Sequence, residues 1–194
     1  MIHSLNLKKT WLAGLLVVLI AGVSVGAMYA AKAAGETDQT LTAYLDGYFQ
    51  SVQFQNNNMT VFKTALADNF KLFLVIFICG FFRLGVIGAA ACVGVKGFIS
   101  GFTTAALVKY YGAKGLLVNL CGLPATLLLF PVLIFFAVQS AGFAFAREKW
   151  NKSSVGRYLL LSLVCLTIFC ISAFADGFLT TTFMKLFAHI FVGN

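Results

Sequence analysis

The sequence predicts an all-α fold: a polytopic integral membrane protein with about five transmembrane helices and an outer amphipathic helix. Three observations predict it. The chain is 60% hydrophobic and 10% charged over 194 residues, whereas soluble domains carry roughly 45–50% apolar and about 25% charged residues. Its apolar residues fall in long uninterrupted runs, and about 20 of them in helical form cross roughly 30 Å of hydrocarbon. Its basic residues, which give a formal net charge of +8, gather at the ends of those runs rather than along one polar face. They read as topology signals and not as a nucleic-acid surface.

The first run, Trp11 to Ala31, follows Lys8 and Lys9. It is longer than the roughly 7–15 apolar residues of a signal peptide, so it is expected to remain as a first span. Residues 32–69 are the one sizeable polar segment and are expected outside the bilayer. Within it, Leu41, Tyr44, Leu45, Tyr48, Phe49 and Val52 recur at the spacing of one helix face, which predicts a helix over residues 37–53. Three destinations stay open to the face of Tyr44, Tyr48 and Phe49: the membrane interface, the spans, or a partner.

A second span is expected over residues 72–95, with Arg83 near its middle. An arginine at that depth costs about 2.5–3.5 kcal/mol on insertion scales and turns toward the bundle interior or water. Two roles stay open to it, a clamp that donates to carbonyls freed near Gly80 or Pro124, which is the favoured one, and a functional charge. Residues 97–111 are short for a span, but charge parity makes them cross. The amino end and the basic loop Arg147, Lys149, Lys152 and Arg157 are both expected to be cytoplasmic, which needs an even number of crossings between them. The fourth span, residues 116–145, carries Pro124 and Pro131, which are expected to kink it. The fifth, residues 158–175, ends at Asp176 and places the carboxyl end outside, where residues 177–194 are apolar enough to lie along the interface. Residues 1–194 form a single membrane domain.

Chemistry finds little equipment. Cys79, Cys92, Cys121, Cys165 and Cys170 show neither CxxC nor CxxH spacing, and His3 and His189 lack nearby donors, so no metal or cofactor is expected. Ser100, in Gly97-Phe-Ile-Ser-Gly101, sits in a context like that of intramembrane serine proteases. A nucleophilic serine needs a base within reach, and only a folded-back His189 would bring one. The glycines have a simpler explanation: Gly97, Gly101 and Ala105 make a smooth stripe for a packed helix, and Gly22 and Gly26 repeat the device. No Asp, Glu or His is expected inside the spans to relay protons, and no nucleotide motif occurs.

From Gly94-Val-Lys-Gly-Phe-Ile-Ser-Gly-Phe-Thr103 through Gly112-Ala-Lys-Gly-Leu116 to Leu123-Pro-Ala-Thr-Leu-Leu-Leu-Phe-Pro131, the chain resembles the stage II sporulation protein M family. The aromatic helix Tyr44-Leu-Asp-Gly-Tyr-Phe49, the Asn69-Phe70 pair and the length also suit that family. Lys96, Gly97 and Gly101 match its basic-Gly and Gly-Phe positions, and Pro124 and Pro131 its paired prolines. Arg83 and Ala125-Thr126 depart from its pattern. The resemblance implies a five-span protein of the mother-cell membrane, without enzymatic activity. That protein holds two peptidoglycan-cleaving partners, stage II sporulation proteins P and D, at the septum during engulfment. It implies no small-molecule substrate. A permease-like transporter subunit is the alternative, marked by polar or charged groups near the midplane.

Overall fold

The computed structural model describes residues 2–32, 58–82, 85–145, 152–180 and 182–183, and among them all regular structure is helical. The elements are α1 (Ile2–Lys32), α2 (Asn58–Cys79), α3 (Gly85–Tyr111), α4 (Ala113–Cys121), α5 (Leu123–Phe145) and α6 (Lys152–Phe174), which continues as a π-helical turn, Ala175–Thr180. Four stretches among the described residues are long and apolar enough to cross a membrane: Thr10–Lys32, Gly85–Tyr111, Leu123–Phe145 and Lys152–Thr180. The protein is a multi-pass membrane protein. Tyr44, Tyr48, Phe49, Arg83 and the tail from residue 184 lie outside the described residues.

Ring contacts fix how the helices run. Near the start of α2, Phe62 meets Phe174 and Phe178 at the far end of α6. Further along, Phe73 meets Phe169 and Phe77 stacks on Tyr158, so α2 and α6 are antiparallel over most of their length. In α5, Phe136 lies on Phe73 and Ser140 on Ile76, so α5 runs parallel to α2. Val86 of α3 shares a cluster with Ala141 and Ala144 of α5, and there Trp11 of α1 comes within 5.4 Å of Phe145. The starts of α1 and α3 and the end of α5 therefore sit together at one end of the bundle.

The core is aromatic. Tyr158 stacks on Phe143, at 4.3 Å with the rings nearly parallel, and on Phe77 at 5.6 Å. Phe136, Phe169, Ile76 and Leu133 are fully enclosed around them. Lipid tails are as apolar as these rings, so the gain is close packing rather than escape from water. Each offset ring pair adds about 0.5–1.5 kcal/mol.

α1 joins this core along one edge, through a seam of glycines shared with α3. Gly22 of α1 lies against the Gly94 carbonyl and Gly26 against that of Phe98; from the other side, Gly97 meets Leu19 and Gly101 meets Val23. At Gly101 a β-carbon would fall inside the Val23 carbonyl, and at Gly26 inside that of Phe98. Such backbone-to-backbone approach is what small-xxx-small spacing allows. The glycines of both stripes thus meet in one interface, which Gly94 extends and Ala30 and Ala106 continue beyond it.

The helix boundaries differ from expectation in three places. The span expected over residues 72–95 is broken by a turn at Gly80–Phe82, and no break follows Val95. Instead α3 runs unbroken for 27 residues, about 40 Å at 1.5 Å per residue, because Gly97 serves a helix contact rather than a turn. The expected 116–145 span is divided at Gly122. Pro124 does not kink it, since it lies in the first turn of α5, where a missing N–H costs nothing; Pro131 lies inside α5 without ending it. Lastly, α2 begins at Asn58 and packs on α6, so Asn69, expected at the end of the outer segment, lies inside the bundle. Asn69 is buried and donates to the Phe169 carbonyl at 3.2 Å.

Enlarging a seam glycine should undock α1, and Gly14 supplies a control on the same helix because nothing lies within 4 Å of its added β-carbon. Gly26→Leu and Gly101→Leu are expected to cost about 1–3 kcal/mol or more through overpacking and to lower yield and thermal stability in detergent. Gly14→Leu should leave both unchanged. Equal behaviour of all three would count against the seam.

Candidate functional site

A helix ending inside a membrane protein leaves its last four carbonyls without intrahelical partners, and no water reaches hydrocarbon to satisfy them. The end of α2 solves this group by group. Gly80 donates its N–H to the Ile76 and Phe77 carbonyls, both at 3.2 Å, while Phe81 N–H serves Ile78 and Phe82 N–H serves Cys79. Two hydroxyls complete the cap from other helices. Ser140 of α5 donates to Ile76 at 2.9 Å, and Tyr158 of α6 donates to Phe77 at 3.2 Å. Both are buried.

Gly80 is the only residue type that fits there, since a β-carbon would run into the Tyr158 hydroxyl and come within 3.0 Å of Ser140 Oγ. Gly85, where α3 begins, is pressed on the Cys79 carbonyl in the same way. The chain thus reverses between α2 and α3 against a polar anchor built by three helices. The carbonyls near Gly80 are those a clamping Arg83 is expected to serve; Arg83 lies outside the described residues, and the hydroxyls of Ser140 and Tyr158 reach two of them. The Pro124 region is likewise satisfied locally: Gly122 N–H takes up the Leu120 carbonyl, and Thr126 serves that of Gly122 through its N–H and its hydroxyl.

Further polar groups follow the half of the bundle that holds the carboxyl end of α6. Ser172 donates to the Ala125 carbonyl at 3.0 Å. Thr104 Oγ1 of α3 lies 2.8 Å from the Ser100 carbonyl and 3.2 Å from the Asn119 side chain, tying α4 back onto α3. Asp176 accepts from Thr180 at 3.2 Å and is close enough to Lys96 for the two charges to interact. Lys96 is half-buried midway along α3, while its neighbour Gly97 is buried in the seam.

Of the sequence-predicted residues, the structure brings Gly97 and Gly101 together in the seam, keeps Lys96 on the same helix facing the π-helical turn, and leaves Pro124 and the exposed Pro131 on α5 apart from both. The partner that Ser100 would need, His189, lies outside the described residues, and no cluster of metal ligands occurs among those described. What the arrangement offers is a set of fixed helix junctions and a charged pair, Lys96 and Asp176, in the half that holds the carboxyl end of α6.

Tyr158→Phe keeps the ring stack and removes one hydroxyl from the α2 cap; Ser140→Ala removes the other. Each is expected to leave a buried carbonyl underserved at about 1–3 kcal/mol, or roughly 2–10 °C of melting temperature in detergent. Unchanged melting of both would show that the cap carries no stability.

No match was found among the curated proteins or the solved structures compared with the chain. A model of the family described as stage II sporulation protein M matches residues 15–181. That range runs from the first buried leucine of α1 through the π-helical turn, taking in the glycine seam, the capped end of α2 and Lys96. The chain belongs to the stage II sporulation protein M family of membrane proteins.

Proposed function

We propose that this protein is a non-enzymatic scaffold of the engulfment machinery. It recruits stage II sporulation proteins P and D, the peptidoglycan-cleaving enzymes, and positions them at the septum. The observation that carries this reading is the extent of the family match, which covers the bundle as a whole rather than one segment of it. A bundle tied by backbone-level glycine contacts and an internally capped turn suits a rigid platform. Its surfaces rather than a reacting group then do the work.

The reading places the protein in the mother-cell membrane with α1, α2, α3, α5 and α6 as five crossings. The amino end and the 147–157 loop are cytoplasmic; residues 33–57 and the carboxyl end are outside. The clustering of Trp11 with Phe145 at one end of the bundle supports a common side for the two basic regions. Ser153, exposed at the start of α6, reports on this. In intact cells Ser153→Cys should resist a membrane-impermeant thiol reagent and label only after permeabilisation; strong labelling without it would overturn the topology.

Partners are tested by cross-linking and purifying the protein from cells in early sporulation. The expected companions are peptidoglycan hydrolases. Recovery of an ATPase subunit without any hydrolase would favour the permease-like alternative, to which the half-buried charge of Lys96 lends the most support.

A further inference from the structure

Trp11 of α1 meets Phe145 of α5 at the end of the bundle where α6 starts. Interfacial aromatic residues beside basic ones mark where hydrocarbon ends. Lys32 stands about 31 Å of helix rise further along α1, and the hydrocarbon is roughly 30 Å thick. Lys32 therefore emerges among the headgroups of the opposite leaflet.

The end of α3 emerges beside it. The seam sets Leu19 against Gly97 and Val23 against Gly101, and the same register carried to the helix ends puts Lys32 level with Lys109 and Tyr110. Ala30 closes on Ala106 and Leu107 just below. Both lysines are exposed. Tyr29, on the face of α1 that carries Lys32 and one turn below it, rests on Phe98 and Phe102 of α3, while Lys109 lies 5.3 Å over the ring of Tyr110. The chain then turns at Gly112, and α4 opens with Lys114 in its first turn. A β-carbon at Gly115 would fall inside the Leu107 carbonyl, so α4 starts hard against the last turn of α3. Three helix ends that carry lysine are thus gathered at headgroup level.

Helix dipoles account for part of this. Lys32 and Lys109 stand in the last turns of their helices, where a cation complements the negative end. Lys114 is at the positive end of α4, where the dipole opposes it. Backbone-close packing also brings like charges side by side, and their repulsion is relieved when an anion lies among them. Ammonium groups at this level suit the phosphate of a lipid. A zwitterionic headgroup brings its own ammonium to that phosphate, whereas an anionic headgroup leaves it to the protein.

We propose that the ends of α1, α3 and α4 form a headgroup site for an anionic phospholipid, whose phosphate is held by Lys32 and Lys109 and whose acyl chain lies along the Tyr29, Phe98 and Phe102 edge of the seam. The site works in the same way whichever side of the membrane that end faces, and it needs no hydrolase partner.

The test places a fluorescent bimane on Met28→Cys, an exposed position one turn below Lys32, in full-length protein whose exposed Cys170 is replaced by serine, reconstituted in phosphatidylcholine vesicles. Brominated phosphatidylglycerol should quench the label at a mole fraction at least roughly threefold lower than brominated phosphatidylcholine does. Lys32→Gln with Lys109→Gln should bring the two lipids to parity, and Lys32→Arg with Lys109→Arg should keep the preference. Lys63→Gln, which removes exposed charge near the start of α2, should leave it intact. Unaltered quenching by brominated phosphatidylcholine shows that α1 of the Gln pair is still seated in lipid. Parity in the wild-type protein, as lysines engaged only with the chain's own carboxylates would give, overturns the proposal, and so does a preference that survives the Gln pair. A preference abolished by inorganic phosphate but not by sodium chloride of equal ionic strength assigns the patch to a free anion and overturns it as well.

Discussion

In hydrocarbon no water completes an unfinished helix, so every place where this chain stops being helical has to supply its own donors and acceptors. The described bundle has three such places between its long helices, after Cys79, Tyr111 and Cys121, and each is served differently. After Cys79, hydroxyls from two distant helices complete the backbone turn. After Tyr111, Gly112 takes a positive φ of 57° with ψ −131°, a backbone conformation that glycine alone adopts cheaply, and returns its N–H to the Val108 carbonyl at 2.9 Å. After Cys121, Gly122 and Thr126 close the gap within a few residues. Packing of the aromatic core follows from these stops, because they set where α2, α3 and α5 begin and end.

Much of this architecture is legible in the residues themselves. The apolar runs mark the helices, and the spacing of Gly22, Gly26, Gly97 and Gly101 marks a close helix contact. The failures are instructive. A glycine in a membrane helix either receives another backbone or ends the helix, and the local string does not distinguish the two. Val95-Lys-Gly97 reads as a boundary and is the middle of a helix; Cys79-Gly-Phe-Phe82 reads as helix and holds a turn at Gly80–Phe82. What separates them lies far away in sequence. The Gly80 turn depends on hydroxyls 64 and 81 residues downstream of the carbonyls they serve.

The same distance hid Ser140 and Tyr158 as functional positions. A lone serine in an apolar run and a tyrosine near a helix start are ordinary features of membrane helices, and only their meeting at one helix end gives them a task. Arg83 drew attention because a charge in a span announces its cost. The sequence also places Asn69 at the end of an outer polar segment, whereas α2 already packs on the end of α6 from Phe62 onward. Asn69 was the available signal: an amide two residues before a long apolar run needs a partner when buried, and here the partner is a carbonyl on another helix.

The one-sided attachment of α1 bears on how the protein is made. Its docking partner α3 is synthesised only after residues 33–84 have emerged, so α1 must spend an interval in the bilayer as a solitary helix. Few helices of a bundle tolerate that, but only 11% of its most apolar stretch is buried in the finished structure, and Val17, Ile20, Val25 and Met28 face outward. Left alone, it exposes glycines to lipid and little else that lipid rejects. Insertion and assembly are thereby separated in time: the first helix anchors the nascent chain, and the glycine seam closes on it once its counterpart arrives.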